Sequence, residues 1–336
     1  APAGDASAGA SGGAPGSATE AAKARALSEA DRHTIRVDIP RTRAGDAAFV
    51  QPAMRQRLEA LLTGFCHDEG LRYMQGLHEV AAVFAYIEAS AAASSTGAPA
   101  AAKEGAGGFD GLACLTAFAG RFAPCFYDGE GFVMLHIMLL FFRQLLLYHH
   151  PDLHNQLEEV GVSPIIYATP WFITLFASRT PLSVLLRLWD RYIERNEPAF
   201  LPFLAVAIMA SEKAAILAAE EDEANLAVDR ACVGSPEQLE AVWAAAVALQ
   251  HQTPKSFSVR MTRVLGKVKE RCRQQNAWEK PWSESVLARA EQERRLAMLA
   301  SEVIAHLVRV APHVPPQAPS ASAPAPSASR APLLSP

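Results

Sequence analysis

The chain has no Gly-x-x-x-x-Gly-Lys-[Ser/Thr] loop and no Gly-x-Gly-x-x-Gly following a strand pattern, so it carries no recognisable nucleotide-phosphate cradle of its own. It has no excess of basic charge: 31 Lys and Arg against 35 Asp and Glu leave a net charge of −4. A field of that sign does not draw a protein to nucleic acid or anionic lipid, so neither nucleic-acid binding nor membrane insertion is expected. The five cysteines, Cys66, Cys114, Cys125, Cys232 and Cys272, are scattered and form no Cys-x-x-Cys. That pattern argues for free thiols in a reducing, cytoplasmic setting rather than a disulfide or zinc framework. The most apolar run, residues 132–142, contains His136 and stops at Arg143, too short to cross about 30 Å of hydrocarbon. No Ser or Cys stands in a nucleophile turn, and His149, His150 and His154 make no His-Glu-x-x-His, so no metal or cofactor is expected.

What is abundant is Ala and Leu, within a hydrophobic fraction of 50%, and this favours helices over strands. The expected architecture is all-α, one multi-helix domain, with residues 1–28 a disordered Ala/Gly/Ser segment. Residues 29–275 form the helical body, residues 276–312 a helical extension and residues 313–336 a disordered Pro/Ala/Ser tail. The start lacks both Met and an apolar signal core, which reads as a fragment or a processed chain.

In order, residues 52–65 set Met54, Leu58, Leu61, Leu62 and Phe65 at helical spacing, and Leu77, Val80, Ala81 and Phe84 line a second helix. Residues 90–108 read as a flexible insertion. Further helices are expected over residues 130–149 and 151–160, the latter closed by Gly161. Thr169-Pro170 and Thr180-Pro181 each offer a capping oxygen before a proline. Residues 198–217 read as one buried helix, residues 220–229 as a solvated acidic turn, Ser235 to Gln238 as a capping box, and Thr253-Pro254 as a further helix start.

Two polar residues stand out. Arg41 follows the rigid Pro40, and Gln75 precedes Gly76 at the mouth of an apolar helix. Neither type is a ready acid, base or nucleophile, yet both donate hydrogen bonds to a phosphoryl group and its attacking water. The plainer reading is a surface arginine paired with Asp38 and a helix-capping glutamine.

Ile35-x-x-Asp38-x-x-Arg41-Thr42 and Tyr73-x-Gln75-Gly76 resemble, in order and separation, the two finger motifs of TBC domains, the GTPase-activating domains for Rab proteins. Tyr167 to Phe172 and Arg187-Leu188-Trp189-Asp190 resemble the family's later landmarks. The stretch 38–41, the region 148–152 and Thr253-Pro254-Lys255-Ser256 look nearest to the TBC domain of TBC-domain-containing kinase-like proteins. The resemblance implies a TBC-type helical fold in two lobes, the N-terminal one incomplete because residues 1–30 hold no Arg-x-x-Trp. It implies Arg41 and Gln75 as catalytic residues, Asp38 and Tyr73 as supports, and Trp171 and Trp189 as core anchors. The partner is then a Rab-family small GTPase that brings GTP and Mg²⁺, the setting membrane traffic, with peripheral membrane association through that partner. A catalytically inactive TBC-type adaptor for a Rab or a tethering complex is the alternative. His78 departs from the pattern where many members carry Asn, and Val83 lies near the place of a common Pro.

Overall fold

The computed structural model describes residues 27–95, 109–127, 132–219 and 221–276, and every regular element among them is helical. Helix α1 (Glu29–Asp38) starts where the Ser28 hydroxyl accepts a hydrogen bond from the Asp31 amide at 3.0 Å. Glu29 and Asp31 in its first turn oppose the positive end of the helix dipole. Pro40 has no amide hydrogen, and the chain tightens into a 3-10 turn, Ile39–Arg41. A short α2 (Ala47–Val50) leads to α3 (Pro52–Asp68), which buries the predicted face of Met54, Leu58, Leu61, Leu62 and Phe65.

Helix α4 (Leu77–Ser95) lies against α3 and runs six residues into the stretch read as an insertion, because its alanines are the best helix formers. Residues 96–108 lie outside the described residues. Helix α5 (Gly111–Phe122) begins with Asp110 accepting from the Ala113 amide at 2.9 Å.

The centre of the fold is α6 (Val133–His149), packed on by later helices and burying nine apolar side chains from Met134 to Leu146. Pro151 breaks it as expected: His150 is non-helical and α7 (Pro151–Glu159) leaves at 119°. Gly161, with φ +71°, then reverses the chain.

Two short helices follow, α8 (Pro164–Tyr167) and α9 (Thr169–Thr174). The capping expectation fails at both threonines. The Thr169 hydroxyl donates backward to the Ile165 carbonyl at 2.6 Å, and α10 (Leu182–Arg195) begins at a Pro181 cap with no side-chain bond, Thr180 being buried. A local hydroxyl-to-carbonyl bond occupies the first threonine and burial the second.

The expected single helix over 198–217 is divided into a 3-10 turn (Pro198–Phe200), α11 (Leu201–Ser211) and α12 (Lys213–Ala218). Glu212 marks the break, where burial gives way to half-exposed surface. The acidic stretch read as a solvated turn is instead helix α13 (Glu221–Asp229), held by Ala224 and Val228, one turn apart and both buried. Helix α14 (Pro236–Gln252) opens with Ser235 accepting from the Gln238 amide at 3.2 Å. The Gln238 side chain reaches back to the Gly234 amide at 2.8 Å, one residue earlier than a standard capping box. Helix α15 (Lys255–Asn276) ends the described chain.

One contiguous apolar cluster runs from Leu27 to Leu265. Trp171 and Trp189 sit inside it as expected. The Trp189 ring centroid lies 4.6 Å from that of Phe118, and its indole N–H donates to the Leu175 carbonyl at 2.9 Å, so the buried polar atom is satisfied. Among the described residues, no single helix is long and apolar enough to cross a membrane.

Candidate functional site

Asp38 is the last residue of α1, and its side chain has no exposed surface. A carboxylate so placed needs donors, because burying an unpaired charge costs several kcal/mol, on the order of 5. Arg41 supplies two: Nε donates to Oδ1 at 3.1 Å, and Nη2 donates to the same oxygen. The Tyr73 hydroxyl donates to Oδ2 at 2.7 Å. The Thr42 hydroxyl donates to the Asp38 carbonyl at 2.9 Å, fixing the backbone just beyond the arginine. Asp38 is therefore the fixed point, and the guanidinium resting on it is 60% exposed. One end of the pair is locked in the core and the other faces solvent.

The second segment is held from the same point. Tyr73 is buried, whereas Gln75, two residues on, is exposed. Between Gln75 and α4 the chain turns through Gly76 at φ +101°, a conformation that suits glycine alone. A Cβ there would also fall inside the Ile173 Cγ2 methyl on α9. Backbone and packing both require glycine, and the requirement fixes how Gln75 leaves the turn.

Below the turn lies His78, whose Nδ1 is 2.9 Å from the Tyr73 hydroxyl and 3.5 Å from Asp38 Oδ2 and accepts from the Gly76 amide at 3.3 Å. Burial holds its pKa below the ordinary imidazole value, with Asp38 acting in opposition. Burial and the adjacent Asp38 carboxylate push the Tyr73 phenol well above its usual range, so it stays a donor.

A third anchor is Arg43, with a left-handed φ of +46°. Its guanidinium donates to the Ala177 carbonyl at 2.6 Å and the Thr180 carbonyl at 3.4 Å, pinning the loop after Arg41 to the chain between α9 and α10. Its Nε faces Glu79 Oε2 at 3.8 Å, and both atoms are buried without a hydrogen bond. Burial lowers the Arg43 pKa and raises that of Glu79, each partly offset by the other's charge.

The structure thus joins three of the four sequence-chosen residues, Asp38 bonding both Arg41 and Tyr73, and sets Gln75 exposed two residues beyond Tyr73. Sequence reasoning noted His78 only as a departure and missed Arg43 and Glu79 altogether. Arg43 reaches its acceptors across 134 and 137 positions, a separation with no local signature. The other features lie elsewhere. His149 Nε2 is 2.7 Å from the Thr253 hydroxyl, and Cys66, Cys114 and Cys232 are free thiols. Chemically, the site offers an exposed planar cation and an exposed neutral amide, both donors suited to an oxyanion.

Residues 17–217 match the family model for the Rab-GTPase-TBC domain. The TBC domain-containing protein kinase-like protein of Homo sapiens is 29% identical over 187 residues, which is 55% of this chain and 19% of that protein. Its Dictyostelium discoideum counterpart is 35% identical over 107 residues, 32% of this chain and 10% of that protein. The chain therefore spans only a small part of the length of these relatives. Among solved structures, the crystal structure of the Ypt/Rab-GAP domain of Gyp1p superposes with a TM-score of 0.54 at 16% identity, covering 70% of this chain and 79% of that one. At that identity the likeness speaks for the fold, and the sequence match speaks for the lineage: the chain belongs to the Rab-GTPase-TBC domain family.

Proposed function

We propose that this chain accelerates GTP hydrolysis on a Rab-family GTPase, with Arg41 as an arginine finger and Gln75 orienting the attacking water. The observation that carries the reading is the Asp38 carboxylate, fully buried and bonded to both finger-bearing segments while Arg41 remains 60% exposed. An exposed cation on a rigid mount suits a reaction whose transition state spreads negative charge over phosphoryl and leaving oxygens. An arginine supplied in trans is worth about 1,000- to 100,000-fold in rate, or about 4 to 7 kcal/mol. Gln75 is neutral at every relevant pH and offers both a donor and an acceptor, which is what holding a water in line requires.

On this reading the GTPase brings GTP and Mg²⁺, and Asp38 and Tyr73 support without reacting. The setting is the cytoplasmic face of an endomembrane, reached through the GTPase, where ending the GTP-bound state regulates membrane traffic.

Single-turnover hydrolysis across a panel of GTP-loaded Rab proteins tests the proposal. Acceleration by the wild-type chain is expected, with a loss of about 100-fold or more for Arg41→Ala or Gln75→Ala. No acceleration of any Rab, or acceleration indifferent to both substitutions, refutes it. Binding of a GTP-loaded Rab without acceleration instead assigns the chain as a TBC-type adaptor.

A further inference from the structure

Resting on that reading, we propose that His78 is a positioning residue: it fixes the backbone of the Gln75 turn and links that turn, through Tyr73 and Asp38, to Arg41. His78 is buried directly beneath the turn, one helical position inside α4, and touches neither finger side chain in the hydrogen bonds it makes. Its contribution is to what holds them.

The Gly76 amide donates to Nδ1, so Nδ1 carries a lone pair and the ring proton resides on Nε2, facing Glu79 Oε1 at 3.8 Å. The Tyr73 hydroxyl has one proton and two acceptors in reach, Asp38 Oδ2 at 2.7 Å and His78 Nδ1 at 2.9 Å. When that proton points at Asp38, His78 is left with the Gly76 amide alone. When it points at His78, Asp38 depends on Arg41. A change in how strongly Arg41 holds Asp38 therefore changes what the Tyr73 proton prefers, and the change is felt at Gly76, beside Gln75. The groups facing the imidazole are Asp38, Tyr73 and Glu79, with Arg41 one step beyond across Asp38 and Arg43 one step beyond across Glu79.

The role depends on a polar atom at the δ position of residue 78, and two substitutions separate this from packing. Leucine reproduces the branching of the side chain at Cγ but offers no acceptor; asparagine places an amide oxygen or nitrogen where Nδ1 lies. Two readouts apply. Amide hydrogen exchange at Gly76 and Leu77 reports the turn itself and needs no GTPase. Single-turnover hydrolysis by an accelerated Rab, titrated in this protein, separates the saturating rate from the half-saturating concentration.

For His78→Leu the expected results are exchange at Gly76 faster by about tenfold and a saturating rate lower by about tenfold, the equivalent of one lost hydrogen bond, with half-saturation changed by less than about twofold. His78→Asn is expected to restore both to within about threefold of wild type. If leucine prevents folding, His78→Gln, whose polar atoms lie one bond further out, supplies the contrast with asparagine. Unchanged exchange in the leucine variant, faster exchange with an unchanged saturating rate, or equal losses for asparagine and leucine each overturn the assignment. If wild type accelerates no Rab, the GTPase-activating reading falls by itself and the exchange measurement alone decides whether His78 fixes the turn.

Discussion

Replacing Gly76 by alanine is the sharpest structural test of how Gln75 is presented, because two separate costs are expected and a built-in control divides them. The first is conformational: φ is +101°, and an L residue held at positive φ costs on the order of 1–3 kcal/mol. The second is steric. The new methyl would collide with the Ile173 Cγ2 methyl, and Ile173 is 8% exposed on a helix packed against α4, so it has little room to withdraw. Overpacking of this kind costs about 1–3 kcal/mol. The sum, about 2–6 kcal/mol, is a large share of the roughly 5–15 kcal/mol that holds an ordinary domain together. Gly70 is the control, with φ +64° and nothing within 4 Å of a built Cβ, so Gly70→Ala carries the conformational cost alone. Urea unfolding followed by circular dichroism gives both values. A double-mutant cycle with Ile173→Ala isolates the collision, since truncating Ile173 removes the obstructing methyl; a favourable coupling of about 1–3 kcal/mol is expected. Gly76→Ala no more costly than Gly70→Ala, together with an additive cycle, refutes the claim that Ile173 enforces the glycine.

Two further outcomes follow from the half-buried His149 and the buried Cys66, both away from the candidate site. The Thr253 hydroxyl donates to the Leu249 carbonyl at 2.8 Å, so His149 Nε2–H is the donor in its 2.7 Å contact with Thr253. Burial, aided by His150, lowers the His149 pKa to about 4. The unfolded chain therefore binds more protons than the folded one between pH about 6.5 and about 4. Stability from this group is complete above pH about 6.5 and is lost as pH falls through that window, by about 1–2 kcal/mol once solvent screening is allowed for. Urea midpoints at pH 7 and pH 4.5 for wild type and His149→Gln check this, and identical pH slopes refute it. Burial pushes the Cys66 thiol up to about 12 and leaves it 1% exposed, so at pH 8 only about one molecule in 10,000 carries the thiolate. Iodoacetamide followed by peptide mass spectrometry should label half-exposed Cys114 and Cys232 and spare Cys66 until denaturant is added; equal labelling of all three in the folded protein contradicts the packing around α3.

Features written into the sequence at short range were readable there. The faces of α3 and α4, the break at Pro151 and the cap at Ser235 depend on neighbours within about one turn, and period and capping chemistry report them. The misreadings share another cause. The acidic stretch at α13 looks like solvent-loving turn in composition, yet Ala224, Ala227 and Val228 are buried and dock it as a helix on the core. The threonines at 169 and 180 look like caps, but the local hydroxyl-to-carbonyl bond at Ile165 and the burial of Thr180 engage them first. At the candidate site, Arg41 and Gln75 were legible as motifs, and the pairing of Arg41 with Asp38 spans only three positions. The contact from Tyr73 to Asp38 spans 35 positions and that from Arg43 to Ala177 spans 134, so neither follows from periodicity. Sequence supplied the exposed groups and named Asp38 and Tyr73 as their supports; it could not supply the long-range contacts of Tyr73 and Arg43, or the place of His78, that tie them together.

That framework bears on how an arginine can be both mounted and available. On the proposed arginine-finger reading, a free Arg41 would lose up to about 2 kcal/mol of rotamer entropy when its long side chain is ordered against a phosphoryl group. Resting it on Asp38 meets part of that cost beforehand. The tether is weak from the arginine's side, since an ion pair with a partner 60% exposed is worth about 1 kcal/mol or less. From the carboxylate's side it is not weak, because Asp38 is fully buried and loses two donors if the guanidinium leaves completely. The Tyr73 hydroxyl reduces this asymmetry: as Arg41 loosens its hold, the Tyr73 proton favours Oδ2 over His78, and a phenol with a raised pKa does not give up that proton. Partial withdrawal, with Nε still on Oδ1 and the outer guanidinium nitrogens turned outward, leaves Asp38 with two donors and frees Arg41 to bind an anion. The geometry therefore favours a short swing about a fixed stem over a long excursion, which ties the reach of Arg41 to the exact position of the buried carboxylate.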